Sequence, residues 1–193
     1  METVADAEAE LAMQQPLMKQ DREMRKTMKV MVAIDDSDES FMALKWALDN
    51  LYSIGGVVAE WNQEGGMLMM VHVQEPFHQY FLPAGPGPAT FYGMSTAVES
   101  VRKAQEESTA AILARALQMC EDKMVKAETL IVEGDPKDKI CELAEQMHID
   151  LLVVGSRGLG KIKRAFLGSV SDYCAHHVVC PIVIVKPPKE HRK

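Results

Sequence analysis

The sequence predicts an α/β fold, an open parallel sheet with helices on both faces. Five short apolar runs point to it, at residues 28–34, 67–73, 127–132, 149–154 and 181–185. Longer stretches with apolar residues at helical spacing separate them, and strands that alternate with helices pair in parallel. At 193 residues, with no internal repeat, the chain fits one domain, expected over 28–187. Residues 1–27 are expected to form a flexible extension and 188–193 a short tail.

The first run, 28–34, is apolar apart from Lys29 and ends at Asp35-Asp36-Ser37, as a strand buried on both faces would. Ser37 suits a helix N-cap, with Asp38 and Glu39 favourable at the positive end of the dipole. Phe41, Leu44, Ala47, Leu48 and Leu51 follow at helical spacing. A polar stretch over 53–66 leads to the second strand, and the four prolines of 74–93 predict a long surface loop. A long helix is expected over 95–122, with Val98, Val101, Ile112, Ala116 and Cys120 on its buried face. After the third strand, Asp135-Pro136 places a capping carboxylate before a proline at the first helical position. Ile140, Leu143, Ala144 and Met147 give that helix its stripe. The fourth strand, 149–154, is followed by a glycine-rich basic loop, a helix over 169–178 and the last strand.

Composition narrows the function. Hydrophobic residues at 47% supply a core, and no run approaches the roughly 18 apolar residues of a membrane span. A net charge of −7 disfavours nucleic acid and anionic membranes as partners. The first 27 residues, acidic and then basic, read as an extension and not as an export signal, so a cytoplasmic location is expected. Cys120, Cys141, Cys174 and Cys180 lack paired spacing and are expected to be reduced, structural thiols. Cys174, His176, His177 and Cys180 invite a zinc reading, but no second ligand pair accompanies them, and helix-face packing is the expectation.

The loop after the fourth strand carries the chemistry. Gly155 and Gly158 leave a strand, and Gly168-Ser169 opens a helix. Glycine lets backbone amides approach an anion, and Gly168, Ser169 and Val170 would offer free amides at a helix N-terminus. Ser169 and Ser171 hydroxyls would add donors. Arg157, Lys161, Lys163 and Arg164 reverse the acidic balance, with no acid between Ser156 and Gly168. Glycines at both ends around a basic inset predict an anion site. Gly155 to Gly160-Lys161 mimics the start of a P-loop, but Ile162 stands where a Ser or Thr must hold Mg²⁺. The dinucleotide pattern G-x-G-x-x-G is absent as well.

The spacing Gly155-x2-Gly158-x9-Gly168-Ser169 resembles the ATP-binding signature of the universal stress proteins (UspA-like), complete in this chain. Val32-Ala33-Ile34-Asp35-Asp36-Ser37, Val71-His72-Val73 and Cys180-Pro181-Ile182-Val183-Ile184-Val185-Lys186 resemble the family at three further points. The match runs from about residue 29 to 186 and is most similar to plant single-domain members. The resemblance implies a Rossmann-like, adenine nucleotide alpha hydrolase-like sheet of five parallel strands in order 3-2-1-4-5. That order places Asp35 beside Gly155 at the topological switch point, where open α/β sheets bind ligands.

By the same resemblance, Asp35 bonds ribose or adenine, Ala33 backs the base and Val73 meets adenine through its backbone. Gly155, Ser156, Arg157 and Gly158, with Gly168, Ser169, Val170 and Ser171, hold ribose and phosphates. ATP or AMP is the implied ligand, with Mg²⁺ accompanying ATP, and a homodimer through 181–185 is the implied assembly. The residues alone also allow Asp35 to serve only as a turn starter, and His72 to be a satisfied half-buried histidine with no catalytic part. The loop 76–88 could cover the pocket.

The expected function is a nucleotide-binding protein of stress response or signalling, not an enzyme, with slow ATP hydrolysis as the nearest alternative. Three other readings compete. Adenylating enzymes of similar fold carry S-G-G-x-D-S where this chain has Asp35-Asp36-Ser37-Asp38. An electron-transfer flavoprotein-like domain would be coloured, and a nucleotide-independent holdase would work without a filled site.

Overall fold

The structure, a computed structural model, describes residues 28–52, 67–76, 88–157 and 167–187, with residues 88–97 described by their backbone alone. In chain order the elements are β1 (Lys29–Ala33), α1 (Asp38–Leu51), β2 (Met67–Gln74), α2 (Pro88–Glu121), β3 (Ala127–Glu133), α3 (Pro136–Gln146), β4 (Leu151–Gly155), α4 (Ser169–His177) and β5 (Ile182–Val185). The strands form one sheet in the order β3-β2-β1-β4-β5, and every neighbouring pair is parallel.

Side-chain alternation divides the core into two layers. On one face Val30, Val32, Leu68, Met70, Leu151 and Val153 meet Phe41, Leu44, Ala47 and Leu48 of α1 and Ile112, Ala116 and Cys120 of α2. On the other, Met31, Met69, Val71, Leu152 and Val154 meet Ile140 and Ala144 of α3 and Cys174 of α4. Because successive strand residues point to opposite faces, a strand covered on both sides must be apolar throughout. This is why the centres of β1, β2 and β4, Val30 to Ala33, Met67 to Val71 and Leu151 to Val154, read as unbroken apolar runs.

The helix starts follow local chemistry. Ser37 is extended and its side chain accepts from the Ser40 amide, while Asp135 accepts from the Lys137 amide ahead of Pro136. The structure departs from expectation in α2, which begins at Pro88 and not near Ser95. Proline is tolerated in a first helical turn, and a helical Gly93 costs only about 1 kcal/mol. Val101, expected on the buried face, is exposed, and the buried stripe starts at Thr109. A helix of 34 residues is about 51 Å long, roughly twice the 8-residue β2, so its N-terminal half runs past the strand tips.

Candidate functional site

The carboxyl ends of β1 and β4 lie side by side, with Val32 in register with Val153. From β1 the chain crosses by α1 to β2 on one side, while β4 returns on the other. The two crossovers leave a cleft of about 670 Å³ between them. Its walls bring together Ala33, Asp35, Val73, Gly155, Arg157, Gly168, Ser169, Val170 and Ser171, nine of the eleven residues expected from sequence. Ser156 is buried beneath the cleft and does not line it. Gly158, with Lys161, Lys163 and Arg164 and most of the 76–88 loop, lies outside the described residues.

The α4 end of the cleft is organised by Ser156. Its carbonyl accepts from the Gly168 amide at 2.7 Å and from the Ser171 hydroxyl at 3.1 Å. Its own amide donates to the Val185 carbonyl at 2.8 Å, tying the exit of β4 to β5. These bonds correct two details of the sequence reading. The Gly168 amide is not free, and the Ser171 hydroxyl donates to the carbonyls of Ser156 and Gly168. Among the described residues, the open donors are therefore the amides of Ser169, Val170 and Ser171, which have no intrahelical acceptor and no side-chain cap. They carry the positive end of the α4 dipole into the cleft.

Gly155 also has a different reason from the one its sequence context suggested. A Cβ there would meet the backbone carbonyl carbon and oxygen of Glu39 at 2.8 Å and the Ser40 amide nitrogen at 3.0 Å. The missing side chain lets the start of α1 pack on the end of β4.

At the β1 end, Asp35 lines the cleft while one carboxylate oxygen accepts from the Ser37 amide at 3.0 Å and from the Ser37 hydroxyl. The Ser40 hydroxyl bridges the carbonyls of Asp35 and Ser37, each at 2.9 Å. Asp35 is thus a turn residue, and its second oxygen has no partner among the described residues. His72 is buried, and its Nδ1 lies 2.9 Å from the Ile34 carbonyl. That oxygen can only accept, so Nδ1 donates to it and the ring, which also lines the cleft, is held by the backbone after β1.

The α2 wall is what sequence reasoning missed. Gln105, Ser108, Thr109 and Ile112 line the cleft opposite α4, together with Gln74 and Glu75 from the end of β2. The Gln74 amide nitrogen donates to the Thr109 hydroxyl at 2.7 Å, and that of Gln105 donates to the Glu75 carbonyl at 3.1 Å. The available signal was a threonine three residues before Ile112 on the apolar stripe.

The thiols behave as core residues. Burial pushes Cys174 up to about 12 and Cys120 up to about 11, and it raises Cys141 and Cys180 as well. Cys174 packs its sulfur 3.8 Å from that of Cys141, whereas His176 and His177 face solvent, and among the described residues no group of three or more His, Cys, Asp or Glu is placed to hold a metal ion. No helix among the described residues is long and apolar enough to cross a membrane.

Residues 26–186 match the universal stress protein family. The universal stress protein PHOS34 of Arabidopsis thaliana is 30% identical over 175 residues, which take in 84% of this chain and 63% of that one. The chain therefore spans less than two thirds of PHOS34's length. The universal stress protein A-like protein of the same plant is 28% identical over 167 residues, 82% of this chain and 89% of that one. Among solved structures, an Arabidopsis thaliana universal stress protein family member with AMP bound superposes with a TM-score of 0.55 at 26% identity, over 84% of this chain and 94% of that one. With the sheet order and the family match in agreement, this chain belongs to the universal stress protein family.

Proposed function

We propose that this protein binds an adenine nucleotide, ATP or AMP, in the switch-point cleft and acts in stress response or signalling as a homodimer with little or no turnover. The observation that carries the reading is the trio of open amides at Ser169, Val170 and Ser171, facing a cleft that also contains Arg157 and Asp35. Amides at a helix N-terminus favour a phosphate, and a carboxylate oxygen suits a ribose hydroxyl or an exocyclic amine. The AMP-bound plant relative supports the adenine assignment.

In this reading the second oxygen of Asp35 takes the ribose or base, Ala33 backs the ring and the Val73 backbone meets its edge. Gly155, Arg157 and Gly158, with the α4 amides, receive ribose and phosphates, while Ser156 and Gly168 hold those amides in place. Mg²⁺ would accompany ATP through its phosphates. Efficient hydrolysis needs a positioned water and a base. Among the described residues the acids lining the cleft are Asp35, Asp36 and Glu75, and Asp35 already spends one oxygen on Ser37. The dimer contact is β5, an edge strand paired on one side with four partly buried apolar residues, which favours a partner. A cytoplasmic location belongs to the same proposal.

Mass spectrometry of the small molecules released from natively purified protein, followed by calorimetric titration with AMP and ATP, tests the reading. Recovery of adenine nucleotide and saturable binding are expected. Recovery of a flavin, or no binding of either nucleotide, would overturn it.

A further inference from the structure

Cys141, Cys174 and Cys180 gather on one face of the sheet, where α3, α4 and the approach to β5 pack together, and all are free thiols. Cys174 on α4 is fully buried, and its sulfur lies 3.8 Å from that of the half-buried Cys141 on α3. A disulfide holds its sulfurs about 2.05 Å apart, so the pair stands about 1.8 Å short of bonding. Both thiols adjoin the cleft. Cys174 follows Ser171 by three residues on one face of α4, and Cys141 follows Ile140, which lines the cleft wall. Burial pushes Cys174 up to about 12, whereas Cys141 is only partly covered and is the thiol that an oxidant reaches first.

We propose that Cys141 and Cys174 are a site of oxidation by hydroperoxides, whose disulfide bridges α3 to α4 and weakens nucleotide binding in the cleft. The effect on binding rests on the nucleotide reading above. The Cys141 thiolate attacks one oxygen of hydrogen peroxide, the O–O bond breaks, and the departing hydroxide takes up the proton that the thiol released. Cys141 is left as a sulfenic acid. The Cys174 sulfur then attacks the Cys141 sulfur, the S–O bond breaks, and hydroxide leaves with the Cys174 proton as a second water. Together the two thiols lose two electrons and two protons to the peroxide. In a reducing compartment such a bridge is transient, as redox-sensing disulfides are.

The bridge reaches the site through α4. Cys174 is packed among core residues at interior density, so the gap closes by drawing the helix toward α3. The amides of Ser169, Val170 and Ser171 ride on that helix, one turn away, while the Ser156 carbonyl that holds Ser171 at 3.1 Å stays with β4. Moving one without the other loosens the Ser156 anchor and turns the amides off the phosphate.

The full chain, reduced and then treated with hydrogen peroxide, tests the pair. Non-reducing peptide mapping should recover a Cys141–Cys174 bridge, about 2 Da lighter than the two thiols. Calorimetry should show AMP binding weakened about fivefold or more and restored by dithiothreitol. Cys141→Ser should bind AMP as the reduced protein does and lose the response to peroxide. Cys180→Ser should keep both the bridge and the response. Mapping that places Cys180 in the bridge, or finds sulfinic acids and no bridge, would overturn the proposal. So would a bridged protein whose AMP affinity equals that of the reduced one. Failure of the reduced protein to bind AMP would overturn the nucleotide reading and the coupling built on it. Mapping of the bridge does not depend on AMP, so that result is told apart from a failure of the pair to oxidise.

Discussion

Two polar turns meet at the floor of the cleft, and they use their hydrogen-bonding groups in opposite ways. The turn from β1 into α1 closes on itself. Asp35 accepts from Ser37, Ser37 caps Ser40, and Ser40 bonds back to the carbonyls of Asp35 and Ser37. The joint from β4 into α4 is closed only at its base, where Ser156 gathers Gly168 and Ser171. Among the described residues it leaves three amides open above. Both segments are rich in Ser, Asp or Gly, so composition does not separate them. What separates them is whether their donors are already satisfied: the closed turn spends its donors on itself and keeps one spare carboxylate oxygen, and the other turn keeps amides available for the proposed ligand.

The two turns touch through Gly155, so the largest effect is expected there. Gly155→Ala would place a Cβ 2.8 Å from the backbone of Glu39, which has no flexible side-chain end to yield. Overpacking of this kind costs about 1–3 kcal/mol, or roughly 2–10 °C in midpoint for a domain of this size. Thermal denaturation should show it, with weaker nucleotide binding as α1 is pushed off β4. A variant as stable as wild type would mean that the two turns are not braced against each other.

A paired substitution sharpens the contrast. Ser37→Ala removes an N-cap and should cost about 1 kcal/mol. Ser171→Ala removes a buried hydroxyl bonded to two carbonyls and should cost a similar amount, about 1–1.5 kcal/mol. Their effects on nucleotide affinity should differ. Ser171 holds the α4 amides in aim, so its loss should weaken AMP about fivefold or more, about 1 kcal/mol. Ser37 also donates to Asp35, but its backbone amide keeps that bond when the hydroxyl is gone, so the loss should change affinity less than about threefold, under about 0.7 kcal/mol. Calorimetry with AMP on both variants decides, and equal losses of affinity would erase the distinction between the turns.

The same contrast explains what was legible in the sequence. The sheet could be read because β1, β2 and β4 are covered on both faces and must be apolar, and α1 and α3 because Ser37 and Asp135 cap them. The glycines and serines of the β4–α4 joint could be placed at the site. Their individual jobs could not, since only packing shows that Gly155 clears Glu39 and that Ser171 bonds to carbonyls. The α2 wall was hidden for another reason. On an amphipathic helix Gln105 and Ser108 look like solvent-facing residues, and only the length of α2 carries them over the strand tips to line the cleft. The start of α2 was hidden by prolines, which are compatible with a loop and with a first helical turn alike.

The smallest effect is expected far from both turns, at the other end of α1. Asp49 accepts ion pairs from Lys45 at 2.6 Å and from Lys123 at 2.7 Å, the latter joining α1 to the turn after α2. The Lys123 hydrogen bond, followed by that of Lys45, holds the Asp49 carboxyl below its ordinary range. A carboxylate whose folded value is depressed stabilises the fold above its unfolded value and loses that contribution as pH falls through the folded one. The sites are well exposed, so solvent screening leaves about 0.5 kcal/mol or less. Asp49→Asn should therefore lower the midpoint slightly at pH 7. The gap should close below the ordinary aspartate range, near pH 3, and shrink in molar salt. A gap that persists at low pH would assign Asp49 a packing role and not a charge. Nucleotide affinity should be unaffected, because Asp49 lies on the helix that the closed turn begins, a full helix length from the open amides.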